Sequence, residues 1–197
     1  MIGQHVIFGA YGFWLPNDPR GSWSTFVGSW DLFRYGPATT TAETRSVAHV
    51  DHDRAQRFAA KKALKYPPVQ FSETQVQAIA HGFAGYARCS GLIIWACAIL
   101  PDHVHLVIGP HRLDADKIVI QLKGDATQSL LDAGIHPFGH ITEKNGRPPK
   151  CFARGEWQVY LDTSDEVVRA IRYVENNPIK EGKPLQVWPF VVPFDSD

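Results

Sequence analysis

The longest apolar run in the chain, Leu92 to Leu100, stops at Pro101, and a second run follows at once from Val104 to Ile108. The first run is about half of what a membrane span needs, so the two read as strands joined by Pro101-Asp102. With 197 residues, 44% of them hydrophobic and 20% charged, the chain is long enough for one domain with a real core, which places those strands inside an ordinary globular protein. The first residues, Met1 to His5, carry no basic stretch leading into an apolar one, so no secretory leader is expected. Cys89, Cys97 and Cys151 are odd in number and lack CxxC spacing, which argues against a disulfide framework or zinc knuckle and fits a reducing compartment.

The rest of the chain supplies partners for those strands. Gln4 to about Tyr11 is rich in aromatic and β-branched residues and reads as a first strand. A long irregular stretch, residues 15–68, follows as an insertion, with a short helix over Asp53 to Leu64 ahead of Tyr66-Pro67-Pro68. Trp14, Trp23, Trp30 and Phe33 suggest a packed insertion rather than a flexible linker, one that could cover one end of the sheet or contribute DNA contacts. Ser72-Glu73-Thr74-Gln75 has the form of a capping box and opens a helix running to about Ser90. After the two strands comes an amphipathic helix, Asp114 to Asp132, and then a Gly-, Pro- and basic-rich segment from His136 to Arg154 that reads as a mobile loop. A short strand, Trp157 to Leu161, leads into the capping box Thr163-Ser164-Asp165-Glu166 and a helix expected to end near Pro178. The order is βαββαβ plus a C-terminal helix, which predicts an α+β, ferredoxin-like split βαβ fold: one domain over residues 1–197, an antiparallel sheet with helices on one face.

Two segments carry chemistry. In Pro101-Asp102-His103-Val104-His105-Leu106, residues two apart project from one face of a strand, so His103 and His105 can offer two imidazoles to one ion while Val104 and Leu106 face the core. Two imidazoles are half a site, because a catalytic metal normally takes a third protein ligand and keeps open positions. In the last helix, Tyr173 and Asn177 lie one turn apart on one face, so the Asn177 carboxamide can serve as third ligand with the Tyr173 phenol aimed at the same ion. Glu175 is the alternative third ligand. Asp102 and Glu175 are candidates to orient a histidine from behind, although Asp102 also suits a turn after Pro101.

Pro-Asp-His-Val-His-Leu-Val-Ile, followed further along by Tyr-Val-Glu-Asn-Asn-Pro-Ile-Lys-Glu-Gly, resembles the HUH and tyrosine motifs of REP-associated tyrosine transposases and their IS-type single-strand transposase relatives. The resemblance extends to the opening strand, to Trp14-Leu15-Pro16-Asn17-Asp18-Pro19-Arg20-Gly21-Ser22-Trp23 and to the Trp157 to Asp162 strand. It implies that His103, His105 and Asn177 bind a divalent cation, Mg²⁺ or Mn²⁺, and that Tyr173 is the nucleophile of a DNA transposase that cleaves and rejoins single-stranded DNA through a 5′-phosphotyrosine. A domesticated protein that binds or nicks hairpin DNA, and a metallohydrolase with no covalent step, are the alternatives. The implied partner is single-stranded or hairpin DNA, the implied state a monomer or homodimer, and the implied location the cytoplasm, in association with the nucleoid.

A formal net charge of zero does not announce a polyanion partner, so DNA contact must be local. Lys144, Arg147, Lys150 and Arg154 in the Gly-containing loop, with Arg172 and Lys180 on the last helix, are the candidate phosphate contacts. Six Trp, six Tyr and eleven Phe residues could supply stacking platforms for bases, although most must be core. Tyr160 is a rival nucleophile whose strand position suits sheet packing, and His49-Val50-Asp51-His52-Asp53 reads as a solvated turn rather than a second metal cluster.

Overall fold

A computed structural model describes residues 1–15, 32, 34, 35 and 53–195. Trp23, Trp30, Phe33 and the His49–His52 group, with most of the predicted insertion, lie outside the described residues. The elements are β1 (Gly3–Gly9), α1 (Arg54–Lys62), α2 (Glu73–Ser90), β2 (Ile94–Ile99), β3 (His103–Ile108), α3 (Ala115–Asp132), β4 (Trp157–Leu161) and α4 (Ser164–Lys180). The four strands form one antiparallel sheet in the order β2-β3-β1-β4, the order of a split βαβ unit.

Local chemistry sets the element ends. Ser72 and Gln75 cap α2 reciprocally, the Gln75 N–H donating to Ser72 Oγ at 3.3 Å and the Ser72 N–H to Gln75 Oε1 at 2.9 Å. Gly91, at φ 74°, takes the left-handed conformation that stops this helix. Thr163 and Glu166 make the same box at the start of α4. That helix does not stop at Pro178 but runs to Lys180, because a proline in the last turn forfeits one N–H while the Glu181 N–H still reaches the Asn177 and Pro178 carbonyls.

The sheet buries both faces. Val6, Phe8, Val104, Leu106 and Ile108 point at α2 and α3 and make the main core with Ile79, Phe83, Ile118 and Leu122. On the opposite face Ala96, Ala98, Val107 and Leu161 meet Val167, Ala170 and Val174 of α4. A register irregularity between Ile94 and Ala96 lets Ile94, Cys97 and Ile99 join the main core while Ala96 and Ala98 turn to α4. The two split-βαβ helices therefore share one face as expected, and α4 takes the other. At the β2 edge the Gln186 carboxamide bonds both the N–H and the carbonyl of Ile99 at 2.8 Å, and the Val192 N–H donates to the Ile94 carbonyl, so this edge is blunted by the chain's own tail.

The segment expected to be a mobile loop is tied down at several points. Lys65 and Tyr66 both reach Glu143, at 3.0 and 2.9 Å, the Ala153 N–H donates to the Gly9 carbonyl, and the Lys123 ammonium donates to the Ala153 and Gly155 carbonyls at 3.0 and 2.7 Å. Glycine, proline and charge signal irregular backbone, but whether that backbone is anchored depends on partners distant in sequence.

Helices α2 and α3 approach so closely that a Cβ on Gly82 would lie 2.7 Å from backbone atoms of Asp125 and Ala126, whereas one on Gly85 would meet nothing within 4 Å. Gly82→Ala is expected to destabilise the fold by about 1–3 kcal/mol through forced separation of the helices. Gly85→Ala in the same helix should stabilise it by about 0.5–1 kcal/mol. Urea denaturation of the two variants checks this, and equal shifts of the same sign would contradict the packing.

Candidate active site

The site forms where α4 crosses the central strands. His103 and His105 project from β3 toward α4, and their ring centroids lie 4.8 Å apart. The neighbouring central strand adds His5, whose Nε2 lies 3.2 Å from His105 Nδ1 with the rings stacked at 5.5 Å. From α4 the Tyr173 ring meets His105 and His5 edge-on, each at 5.7 Å. Behind His103 stands Asp102, with Oδ1 2.7 Å from His103 Nδ1, and Phe13 stacks on the His103 ring at 4.6 Å. Trp157 of β4 closes the side of His5 at 5.6 Å.

His105 and Asn177 are buried, and Tyr173 is 40% exposed, so the phenol is reachable from solvent while the groups beneath it are not. Asn177 sits one turn beyond Tyr173, and its Nδ2 is buried with no hydrogen-bond partner. An unpartnered buried amide is costly, and turning it over presents Oδ1 in place of Nδ2. Among the described residues no group of three His, Cys, Asp or Glu side chains could hold a metal, so a carboxamide would have to complete the set. The Nδ1 atoms of His103 and His105 are already engaged, which leaves Nε2 of each, together with the orphaned Asn177 amide, as the donors a divalent cation would find. This donor set fits such an ion.

A REP-associated tyrosine transposase bound to a REP hairpin is similar at a TM-score of 0.49, with 16% identity, over 96% of this chain and 74% of that one. A candidate transposase from Deinococcus radiodurans R1 is similar at a TM-score of 0.39, with 14% identity, over 89% of each chain. No family model and no curated protein matches the chain.

The candidate phosphate contacts divide into two groups. Arg172 and Lys180 line an open groove of about 480 Å³ with Arg169, Tyr173, Asn176 and Ile179, and the Lys180 ammonium lies 4.7 Å from the Tyr173 ring centroid. Lys144, Arg147, Lys150 and Arg154 are exposed on the anchored loop, whose Phe152 bridges to Ala10 just past β1. Glu175 lies about 200° around the helix from Tyr173 and lines a different cleft, beside Trp95 and Phe194. Tyr160 pairs with Gln4 in β4, and alternation puts it on the face opposite His5, away from the histidines. His5 escaped sequence reasoning. The signal was a lone imidazole in an otherwise apolar strand, but only the pairing of β1 with β3 reveals what it touches.

Burial disfavours the charged forms of His5 and His105. The His5 pKa is pushed down to about 4 by desolvation. His105 falls well below its ordinary value through burial first and then through the positive charges of His103, His5 and Lys180. Because the folded pKa values lie below the unfolded value of about 6.5, the unfolded chain takes up protons first on acidification. The His5 contribution to stability is therefore complete above about pH 6.5 and is lost as pH falls toward about 4, by about 1.4 kcal/mol for each pH unit separating its folded and unfolded pKa, and His105 adds a loss of the same sign. Urea midpoints of the metal-free protein should fall markedly from pH 7 to pH 5. His5→Gln should flatten that fall, and an unchanged slope would show that His5 is not held neutral.

Proposed function

We propose that the protein cleaves and rejoins single-stranded DNA, with Tyr173 as the nucleophile and His103, His105 and Asn177 holding a divalent cation. The observation that carries this reading is the docking of α4, which lays a solvent-reachable phenol against a buried histidine pair within a groove flanked by cations. A metal supported on two imidazoles and a carboxamide would supply Lewis-acid polarisation of a phosphate oxygen and neutralise charge that develops on it.

The chain's own residues do the rest. Arg172 and Arg169 offer guanidinium forks that match phosphate oxygens and can orient a strand along the groove. The Lys180 ammonium lies over the Tyr173 ring, where a phenolate and the attacked phosphate both carry negative charge. Tyr173 Oη forms a bond to phosphorus as the bond from phosphorus to O3′ breaks. The phenolic proton is lost and the departing oxygen takes one up, which leaves a 5′-phosphotyrosine and a free 3′-hydroxyl. A second 3′-hydroxyl reverses the step, so joining needs no nucleotide cofactor. Hairpin DNA suits such a site, because it presents single-stranded flanks beside a folded element. A merely hydrolytic metal site has no use for a phenol held edge-on to its ligands.

Labelled single-stranded hairpin DNA from the gene's own flanks, incubated with the protein and Mn²⁺ or Mg²⁺, should yield a labelled band at the protein's mass on a denaturing gel. The band should vanish with Tyr173→Phe, with His105→Ala and with chelator. Cleavage that persists in Tyr173→Phe would assign a metallohydrolase instead. Lys180→Met should slow adduct formation by roughly 10- to 100-fold, the scale of losing about 1.5–3 kcal/mol of interaction with a charged group.

A further inference from the structure

The two HUH histidines are each gripped at Nδ1, by partners of different chemistry. Asp102 Oδ1 lies 2.7 Å from His103 Nδ1, and an ionised carboxylate only accepts, so His103 donates from Nδ1, and its neutral tautomer in this contact has a bare Nε2. His105 Nδ1 faces another imidazole, His5 Nε2, at 3.2 Å. A neutral imidazole has one donor and one acceptor, so this contact can be made in two ways. If His5 donates, the His105 proton must sit on Nε2, and that nitrogen cannot ligate. If His5 accepts, His105 carries its proton on Nδ1 and presents a bare Nε2, matching His103.

We propose that His5 is a positioning residue that accepts a hydrogen bond from His105 Nδ1–H, holding His105 in the tautomer and ring orientation that a divalent cation requires. The inference rests on the metal-ligand reading of His103 and His105 and adds to it the residue that makes the second ligand competent. His5 is built for this task. Its backbone is clamped between Val107 on β3 and Val159 on β4, in the register of a central strand. Its ring is 7% exposed, stacks on His105, and is met edge-on by Trp157 and Tyr173. Partners of metal-bound histidines commonly act in this way, by fixing the proton on the nitrogen that faces away from the ion. Here a neutral ring takes the part that Asp102 plays for His103, so the two ligands are supported without a second carboxylate beside a site that must also receive a phosphate.

Two measurements test it. Long-range ¹H–¹⁵N correlation on the metal-free wild-type protein should show both His103 and His105 protonated at Nδ1, and an Nε2–H tautomer for His105 would overturn the proposal. Mn²⁺ titration followed by electron paramagnetic resonance should show an affinity about 10- to 100-fold weaker for His5→Phe, with His5→Gln, whose side-chain oxygen can accept, keeping most of it. Equal affinity of His5→Phe and wild type would overturn the role of His5 alone. No Mn²⁺ binding by the wild type would overturn the metal-site reading and this proposal together. The tautomer measurement needs no variant, so it decides even where His5→Phe fails to fold.

Discussion

The docking of α4 on the open face of the sheet is the contact on which the candidate site depends. Ala96, Ala98 and Val107 offer a low, apolar surface, and Val167, Ala170 and Val174 fill it. Small side chains on the sheet let the helix come close, and close approach brings the Tyr173 ring within reach of imidazoles that belong to β1 and β3. If that face carried larger residues, the tyrosine and the histidines would stand apart, whatever their sequence motifs.

The same docking sets the electrostatics. A helix laid over two imidazoles removes them from water, and burial disfavours their charged forms. A neutral imidazole is what a cation would need as a ligand, so the apolar packing that stabilises the fold would also prepare His105 for the proposed role. The cations Arg169, Arg172 and Lys180 lie on the outward side of the helix, where water screens their mutual repulsion and a phosphate backbone could reach them. One helix thereby separates a buried neutral layer from an exposed positive one, with Tyr173 at the boundary.

Much of this was legible in the chain itself. The capping boxes at Ser72 and Thr163 located two helix starts, because a cap is a local contract between residues three apart. Alternation in His103-Val104-His105-Leu106 assigned the faces of β3 correctly, since side-chain direction in a strand has a period of two. The end of α4 falls near Pro178 as expected but two residues past it, because a proline in a last turn costs little when the following N–H groups find carbonyls. The anchoring of the Gly- and Pro-rich loop was missed for a different reason: Lys65, Tyr66 and Lys123 are remote in sequence from the carbonyls and carboxylate they hold.

Local spacing, then, determined the elements, their order and the pairing of Tyr173 with Asn177 one helical turn apart, because those properties depend on residues near one another in the chain. Tertiary structure alone decided that α4 covers the face opposite α2 and α3, that His5 meets His105, and that Glu175 and Tyr160 stand away from the histidines. Those outcomes follow from strand register and from which apolar surfaces complement each other, and both are properties of segments that sequence distance does not relate.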